Sequence, residues 1–144
     1  MARPAEYDNL LRTGSFKEAV ASKDSIAQFL RNADEMLEGA KSRLPDSATF
    51  LLSYEGMFNV VMAVLEFHGV RPGDGSGHRT TAIQRVAVDL KLDAARQSAL
   101  ARLHDVRNRV TYRRPLPPLT KADANAMRAV LEEMLAAARK IIDA

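Results

Sequence analysis

The segment from residue 47 to residue 68, SATFLLSYEGMFNVVMAVLEFH, decides the fold. It contains no proline, and its apolar residues recur at three- and four-residue steps, which predicts an α-helix. These residues cover a wide face, so the helix needs neighbours on several sides. We therefore predict that residues 47–68 form the central helix of a bundle. Gly69 is placed to cap its C-terminus, and Pro72 prevents its continuation.

Amphipathic segments lie on both sides of this helix. Residues 23–43 carry apolar side chains at helical spacing and end near Pro45. Residues 78–90 contain β-branched side chains that would suit a strand, but Ile83, Val86 and Leu90 also fit one helix face. No second strand-like run exists to pair with this segment, and an isolated strand would leave its backbone groups unsatisfied. We therefore predict a helix over residues 78–90.

Two more helices complete the set. Residues 93–113 are halted by a proline-rich stretch that begins at Pro115. Residues 121–142 follow Thr120, which with Asp123 resembles a capping box, and they carry a long stripe of Met and Leu typical of bundle core. The sequence thus predicts an all-α fold, an up-and-down bundle of four to five main helices with a short N-terminal helical element around Glu6 to Leu11.

Length and composition agree with one globular domain. The chain has 144 residues, of which 47% are hydrophobic and 27% are charged, so it lies far from the composition of disordered chains. We predict a single domain over residues 1–144, with residues 1–22 as an N-terminal arm and residues 23–144 as the bundle. The N-terminus lacks the apolar core of a signal peptide, and we predict a cytoplasmic protein without membrane association.

Several kinds of chemistry are not indicated. The chain has no cysteine, so disulfides and thiol nucleophiles are excluded. His68, His78 and His104 lack the spacing of a helical zinc site, and we predict no metal and no cofactor. The glycines of RPGDGSGHRT, residues 71–80, follow no strand and lack the Lys of a phosphate-binding loop. We interpret them as an interhelical loop whose His78 caps a helix or lines a site.

Arginines concentrate at the end of the predicted fourth helix. The stretch from residue 102 to residue 114 has a single acid, Asp105, and five arginines: Arg102, Arg107, Arg109, Arg113 and Arg114. Such a run favours a polyanionic partner. Cations near a helix C-terminus also complement the helix dipole, which is the simpler explanation for Arg113 and Arg114. Asp105 and Arg109, four residues apart, are spaced for a surface ion pair.

Arg107 is the most informative of these residues. It lies on the same helix face as Leu103 and Val110, so its cation is directed toward the core. A guanidinium removed from water needs an anion or several acceptors. Three sources of compensation are open: a carboxylate on the central helix such as Glu55, a water-filled pocket that receives phosphate, or a subunit interface. His104 and Asn108 flank Arg107 on adjacent faces, where they form either a polar pocket with it or an exposed, solvated face.

These features resemble the HEPN superfamily of helical proteins. RNRVTY, residues 107–112, looks like the superfamily motif of Arg, a polar residue, variable positions and a terminal His, with Tyr112 as the last residue. The stretch from Leu52 to Ile83 is similar to the long helix, Gly-rich loop and Gly-His pair of HEPN proteins. NLLRTGSFKE, residues 9–18, resembles a group of small bacterial proteins associated with the same superfamily.

The resemblance implies a metal-independent endoribonuclease that acts as a homodimer, often a toxin paired with a nucleotidyltransferase-like antitoxin. In that picture Arg107 holds the scissile phosphate, Asn108 orients a neighbouring group and the terminal residue exchanges protons. The pKa of a free tyrosine is about 10 and that of a free histidine about 6.5, so Tyr112 is a poor base. The resemblance therefore implies a degenerate nuclease that is weak or inactive.

The remaining predicted site residues bind phosphate or a partner: Arg102, His104, Arg109, Arg113, Glu55 and His78. An alternative is a non-catalytic interaction module whose arginines bind an acidic or nucleotidyltransferase-like protein. A structural bundle without a ligand pocket is a third possibility. The scarcity of aromatic residues, 6% of the chain, argues against sequence-specific recognition of single-stranded RNA.

Overall fold

The computed structural model describes residues 3–75, 77–112 and 119–144, with the side chains of residues 110–112 outside the description. The predicted all-α bundle is confirmed in these ranges, and the helices lie within two residues of their predicted bounds wherever both ends are described. In chain order the elements are α1 Ala5–Thr13, β1 Phe16–Glu18, α2 Lys23–Lys41, α3 Asp46–Phe67, β2 Val70–Pro72, α4 His78–Asp89, α5 Ala94–Tyr112 and α6 Lys121–Ile142.

Helix α3 is the centre of the bundle, with α2 and α6 packed closely against it. Gly56 allows close packing with both helices, because a Cβ there would lie 2.8 Å from Leu131 of α6 and 3.3 Å from Met36 of α2. By length and composition α3 is apolar enough to cross a membrane, but 61% of its apolar window is buried inside the protein. That burial is typical of the core helix of a soluble protein.

Helix ends follow the predicted signals. The Thr120 hydroxyl accepts a hydrogen bond from Asp123 N–H at 3.0 Å, which confirms the cap of α6. Ser22 does the same for α2, accepting from Ser25 N–H at 3.3 Å. Gly69, just after α3, has φ of 77°, a left-handed conformation that glycine adopts without strain.

A short antiparallel pair of strands connects residues 16–18, after α1, with residues 70–72, after α3. Strand β1 pairs with β2 so that Phe16 faces Pro72 and Glu18 faces Val70. The prediction that no strand precedes the glycines of residues 71–80 is therefore wrong, because β2 ends at Pro72, inside the predicted loop after α3. Three residues per strand are too few for an alternating pattern to be visible. The pair is held by burial of Phe16 and Val70.

The first 22 residues contribute to the main core. Tyr7 of α1 is fully buried and contacts the rings of Phe16 and His68, with centroid distances of 5.5 and 4.8 Å. Arg3 donates a hydrogen bond to the carbonyl oxygen of His68 at 3.1 Å. These contacts fix the N-terminal segment over the end of α3. Gly73, the residue after β2, is bound to the same segment through its N–H to the carbonyl oxygen of Ser15.

A substitution at Gly73 tests whether the N-terminal segment is held against the chain after β2. A Cβ at this position would lie 2.3 Å from the carbonyl oxygen of Gly14, and the Gly73 N–H donates to Ser15 O at 2.7 Å. We predict that Gly73→Ala lowers the free energy of unfolding by about 1–3 kcal/mol, because the backbones must separate. Urea denaturation followed by circular dichroism measures the change.

Gly75→Ala is the matched control for this variant. The nearest atoms to its added Cβ belong to the flexible side chain of His78, the closest at 3.0 Å, so a smaller loss is expected. Equal losses in the two variants would contradict a backbone constraint at Gly73.

Candidate functional site

A hydrogen-bonded chain of three side chains lies where α3, α4 and α5 meet. The hydroxyl of Tyr54 is 2.9 Å from Nδ1 of His104, and Nε2 of His104 is 3.0 Å from the hydroxyl of Thr80. Tyr54 is fully buried and His104 is nearly so, whereas Thr80 is half-buried. The imidazole of His104 is therefore held at both ring nitrogens, by the central helix on one side and by the first turn of α4 on the other.

The local electrostatics keep the side chains of Tyr54 and His104 neutral at pH 7. Burial raises the pKa of Tyr54 above its usual value, against a smaller opposite effect of Arg79 and Arg107. Burial also lowers the pKa of His104, and Arg107 and Arg79 lower it further because two nearby cations disfavour an imidazolium. A neutral imidazole has one donor and one acceptor. One ring nitrogen of His104 therefore donates and the other accepts, and the hydroxyls of Tyr54 and Thr80 are the two partners.

Two guanidinium groups surround Tyr54. The Cζ of Arg107 lies 4.9 Å from the centre of the Tyr54 ring, and the Cζ of Arg79 lies 6.0 Å from it. Arg79 also covers the ring of Phe58 at 4.0 Å. Aromatic faces attract cations and restrict their orientation. The site thus holds two oriented cations beside the neutral Tyr54 and His104.

One carboxylate and one amide contact the guanidinium of Arg107. Nη2 of Arg107 is 3.5 Å from Oε1 of Glu55, and Nη1 is 3.4 Å from the amide oxygen of Asn108. Both distances are at the long end for hydrogen bonds. The side chain of Arg107 is 13% exposed and that of Glu55 is 42% exposed. The pairing of Arg107 with Glu55, one of the three compensations that the sequence left open, is therefore present, and its acid reaches solvent.

The other predicted site residues lie elsewhere or carry other contacts. Arg102 bonds to Asp123 of α6 at 2.8 Å, and Arg109 bonds through Nε to Asp105 at 3.0 Å. His78 accepts a hydrogen bond from Gly75 N–H at 3.0 Å, within the loop before α4. The structure brings Arg107, Asn108, Glu55 and His104 together. The side chain of Tyr112 and all of Arg113 lie outside the described residues.

Sequence reasoning missed Arg79, Thr80 and Tyr54. Arg79 offers the same signal as Arg107, since it shares a face of its helix with Ile83 and Val86, both buried. This signal is easily missed because Arg79 follows His78 in the glycine-rich stretch of residues 71–80, which the sequence analysis interprets as a loop. Tyr54 gives no such signal, because a tyrosine in a wide apolar face is ordinary core.

A groove of about 490 Å³ begins at this site and runs between α4 and α5. Thr80 and His104 of the hydrogen-bonded chain line it, and Ile83, Ala87 and Leu100 form a buried floor. Gln84 and Ser98 are exposed at its edges. This volume falls in the range of small-molecule sites, roughly 300–1,000 Å³.

Among the described residues, no group of three His, Asp or Glu side chains is arranged to hold a metal ion. No protein-family model matches the sequence, and no curated protein is similar to it. The chemistry of the site must therefore be argued from its own side chains.

The environment of His104 predicts how stability depends on pH. Its folded-state pKa lies below the value of about 6.5 for unfolded chains, so the unfolded state takes up the proton first. Folding stability should be constant above about pH 7.5 and should fall as the pH drops through about 6.5. Burial lowers the pKa of His68 as well, which adds to the same trend.

Proton NMR titration of the imidazole C–H resonances measures this directly, and urea denaturation from pH 8 to pH 5 measures the stability. We expect His104 to titrate below about 6.5, and we expect His104→Gln to lose less stability than wild type over the same range. A pKa at or above that of free histidine would contradict the site described above.

Proposed function

We propose that the protein is a HEPN-like helical protein that binds a phosphate group of RNA or a nucleotide with Arg79 and Arg107. Its ribonuclease activity is weak or absent. The observation that carries the proposal is the placement of two arginines around one buried tyrosine, with a half-exposed glutamate on one of them. As the HEPN resemblance implies, the proposal includes a cytoplasmic homodimer.

Guanidinium chemistry supports a phosphate as the ligand. The planar fork of arginine offers paired N–H donors that match two oxygens of one phosphate. Partial burial strengthens this attraction because the effective dielectric is lower than that of water. Contact with the rings of Tyr54 and Phe58 orients the forks before the ligand arrives, so less conformational entropy is lost on binding.

Glu55 is the group that a phosphate would displace. Its contact with Arg107 is long, at 3.5 Å, and its side chain is 42% exposed. Only the glutamate side of this pair reaches solvent freely, because the Arg107 side chain is 13% exposed. A doubly charged phosphate with several acceptor oxygens forms more and shorter bonds to the same guanidinium. The carboxylate then turns toward solvent at little cost.

Two features support weak catalysis. Tyr112 stands at the motif position where a histidine would exchange protons. Deprotonating a free tyrosine costs roughly 5 kcal/mol more than deprotonating a free histidine. His104, the histidine nearest to Arg107 along α5, is bonded at both ring nitrogens by Tyr54 and Thr80. These two hydrogen bonds have a structural role, and His104 would have to break one of them to act as a base.

Binding by arginine variants tests the proposal. We predict that Arg107→Ala and Arg79→Ala each weaken the affinity for a nucleoside monophosphate about 10- to 100-fold, the loss of one charge-assisted pair. Isothermal titration calorimetry at low salt with a chelator present measures it. Arg102→Ala is the matched control, because Arg102 lies on the same helix but bonds to Asp123. Equal losses from Arg102→Ala, or no binding by wild type, would refute the phosphate site.

Restoring the motif residue tests the catalytic part. We predict that Tyr112→His gains metal-independent cleavage of RNA over wild type, since general acid–base catalysis is worth about 10²–10⁴-fold in rate. The gain should vanish in the Tyr112→His, Arg107→Ala double variant. Cleavage of a labelled RNA in the presence of chelator measures it. If Tyr112→His folds, binds phosphate and still does not cleave, the nuclease ancestry is not supported.

A further inference from the structure

The groove between α4 and α5 is a second candidate binding site, distinct from the two arginines. We propose that it binds a neutral small molecule that combines a flat apolar body with an amide group. The apolar body lies on the buried floor, and the amide bonds to the hydroxyl of Thr80 at one end of the groove. Neither Arg79 nor Arg107 lines the groove, so this site can be tested separately from the proposed phosphate site.

The absence of charge in the groove favours a neutral ligand. Charged residues make up 27% of the chain. Among the residues that the structure describes, however, those lining the groove include no Asp, Glu, Lys or Arg. Its polar groups are the side chains of Thr80, Gln84, Gln97 and Ser98 and the imidazole of His104. An ion on the apolar floor would lose hydration, and no opposite charge in this lining would replace it.

A cationic ligand is disfavoured for a second reason at the His104 end. Burial lowers the pKa of His104, and the cations of Arg107 and Arg79 lower it further by repelling the imidazolium. The same repulsion acts on any other cation that enters this end of the groove. A neutral ligand avoids both this repulsion and the loss of ionic hydration.

The hydrogen-bonding capacity of Thr80 favours an amide. Within the described part of the chain, its half-buried hydroxyl has one hydrogen-bond partner, Nε2 of His104 at 3.0 Å. A hydroxyl has one donor and two acceptor positions. If Thr80 donates to Nε2 it can still accept a bond, and if it accepts from Nε2–H it can still donate one. An amide has both an N–H donor and a carbonyl acceptor, so it matches Thr80 with either tautomer of His104.

The size of the groove favours a small molecule over a helix of a partner protein. Its volume of about 490 Å³ lies in the range of small-molecule sites. Along α4 its lining residues run from Thr80 to Val88, which is about 12 Å at 1.5 Å per residue. A docked helix would contact only two turns here, far short of the roughly 1,200 Å² buried in a stable protein interface. Val88, which is 45% exposed, adds apolar surface at the far end for a flat ligand.

Two variants and their controls test the groove and the hydroxyl. Ala101 lines the groove on α5 and is exposed, so Ala101→Phe adds a ring there, and Ala95→Phe is an equal change at an exposed position outside the lining. Thr80→Val removes the hydroxyl and keeps the shape of the side chain. Its control is Thr81→Val, the same change at the next residue, which does not line the groove. Circular dichroism and sedimentation equilibrium compare the fold and the oligomeric state of each variant with wild type.

The probes are benzamide, benzoate and benzamidine, which have nearly the same shape and are neutral, anionic and cationic at neutral pH. NMR titration followed at the backbone amides of Gln84 and Ala101 gives the dissociation constants. We expect benzamide to bind wild type at least about tenfold more tightly than either charged probe, because the charged probes must be desolvated without a partner. Thr80→Val should weaken benzamide binding about three- to tenfold, the loss of one neutral hydrogen bond. Ala101→Phe should abolish the shifts, and both controls should behave as wild type.

Four results would overturn the proposal. The first is equal affinity of benzamide and a charged probe at these amides, and the second is benzamide binding that survives Ala101→Phe or is weakened equally by Thr80→Val and Thr81→Val. The third is no binding of benzamide to wild type. The fourth is a wild-type dimer that Ala101→Phe converts to a monomer, which would show that a second copy of the chain covers the groove. Each of these results leaves the phosphate site to its own test with the arginine variants.

Discussion

The permanent charge of Arg107 constrains this region of the protein more than any other single group. Its side chain is 13% exposed, so most of the hydration of the guanidinium is lost on folding. That loss must be offset locally, because an uncompensated buried cation costs several kcal/mol. The ring of Tyr54, the amide of Asn108 and the carboxylate of Glu55 share this compensation. The half-exposed glutamate leaves the cation within reach of an external anion.

The neighbouring residues are arranged to tolerate this charge. A second cation, Arg79, approaches the same tyrosine, and two adjacent cations would repel a protonated histidine. His104 is accordingly neutral and bonded at both nitrogens, and it connects α3 to α4 through Tyr54 and Thr80. The polar chain therefore has a structural task, which is to hold the first turn of α4 and with it Arg79. The hydrogen bonds that connect α3 to α4 therefore also orient the cations.

The sequence was sufficient for the helices because their signals are local. Proline positions, the Thr120 cap and apolar spacing of three and four residues fixed the bounds of α2, α3 and α6 closely. The inward direction of Arg107 was also predictable from its helix face, whereas the contact with Glu55 was one of three compensations that the sequence left open. The β1 and β2 pair was not, because three-residue strands show no periodicity and pair across more than fifty residues. Only the fold could show that Phe16 lies opposite Pro72.

Assembly of the site depended on contacts that no local pattern encodes. Arg79 and Arg107 are far apart in sequence, and only the packing of α4 and α5 against α3 brings them to one ring. The predicted row of arginines on α5 has a different character once Asp123 of α6 pairs with Arg102. Arg102 and the locally paired Arg109 are thus surface cations with acidic partners, whereas Arg107 of the same helix lies over the ring of Tyr54. Composition alone could not distinguish these cases.

The most direct measurement of the central claim is an NMR titration of arginine side-chain Nε–H resonances with inorganic phosphate. If Arg79 and Arg107 form one anion site, their resonances will shift together and fit one dissociation constant, while that of Arg102 stays in place. Independent shifts of all the arginines, or a response of Arg102 and Arg109 without Arg79 and Arg107, would contradict the account.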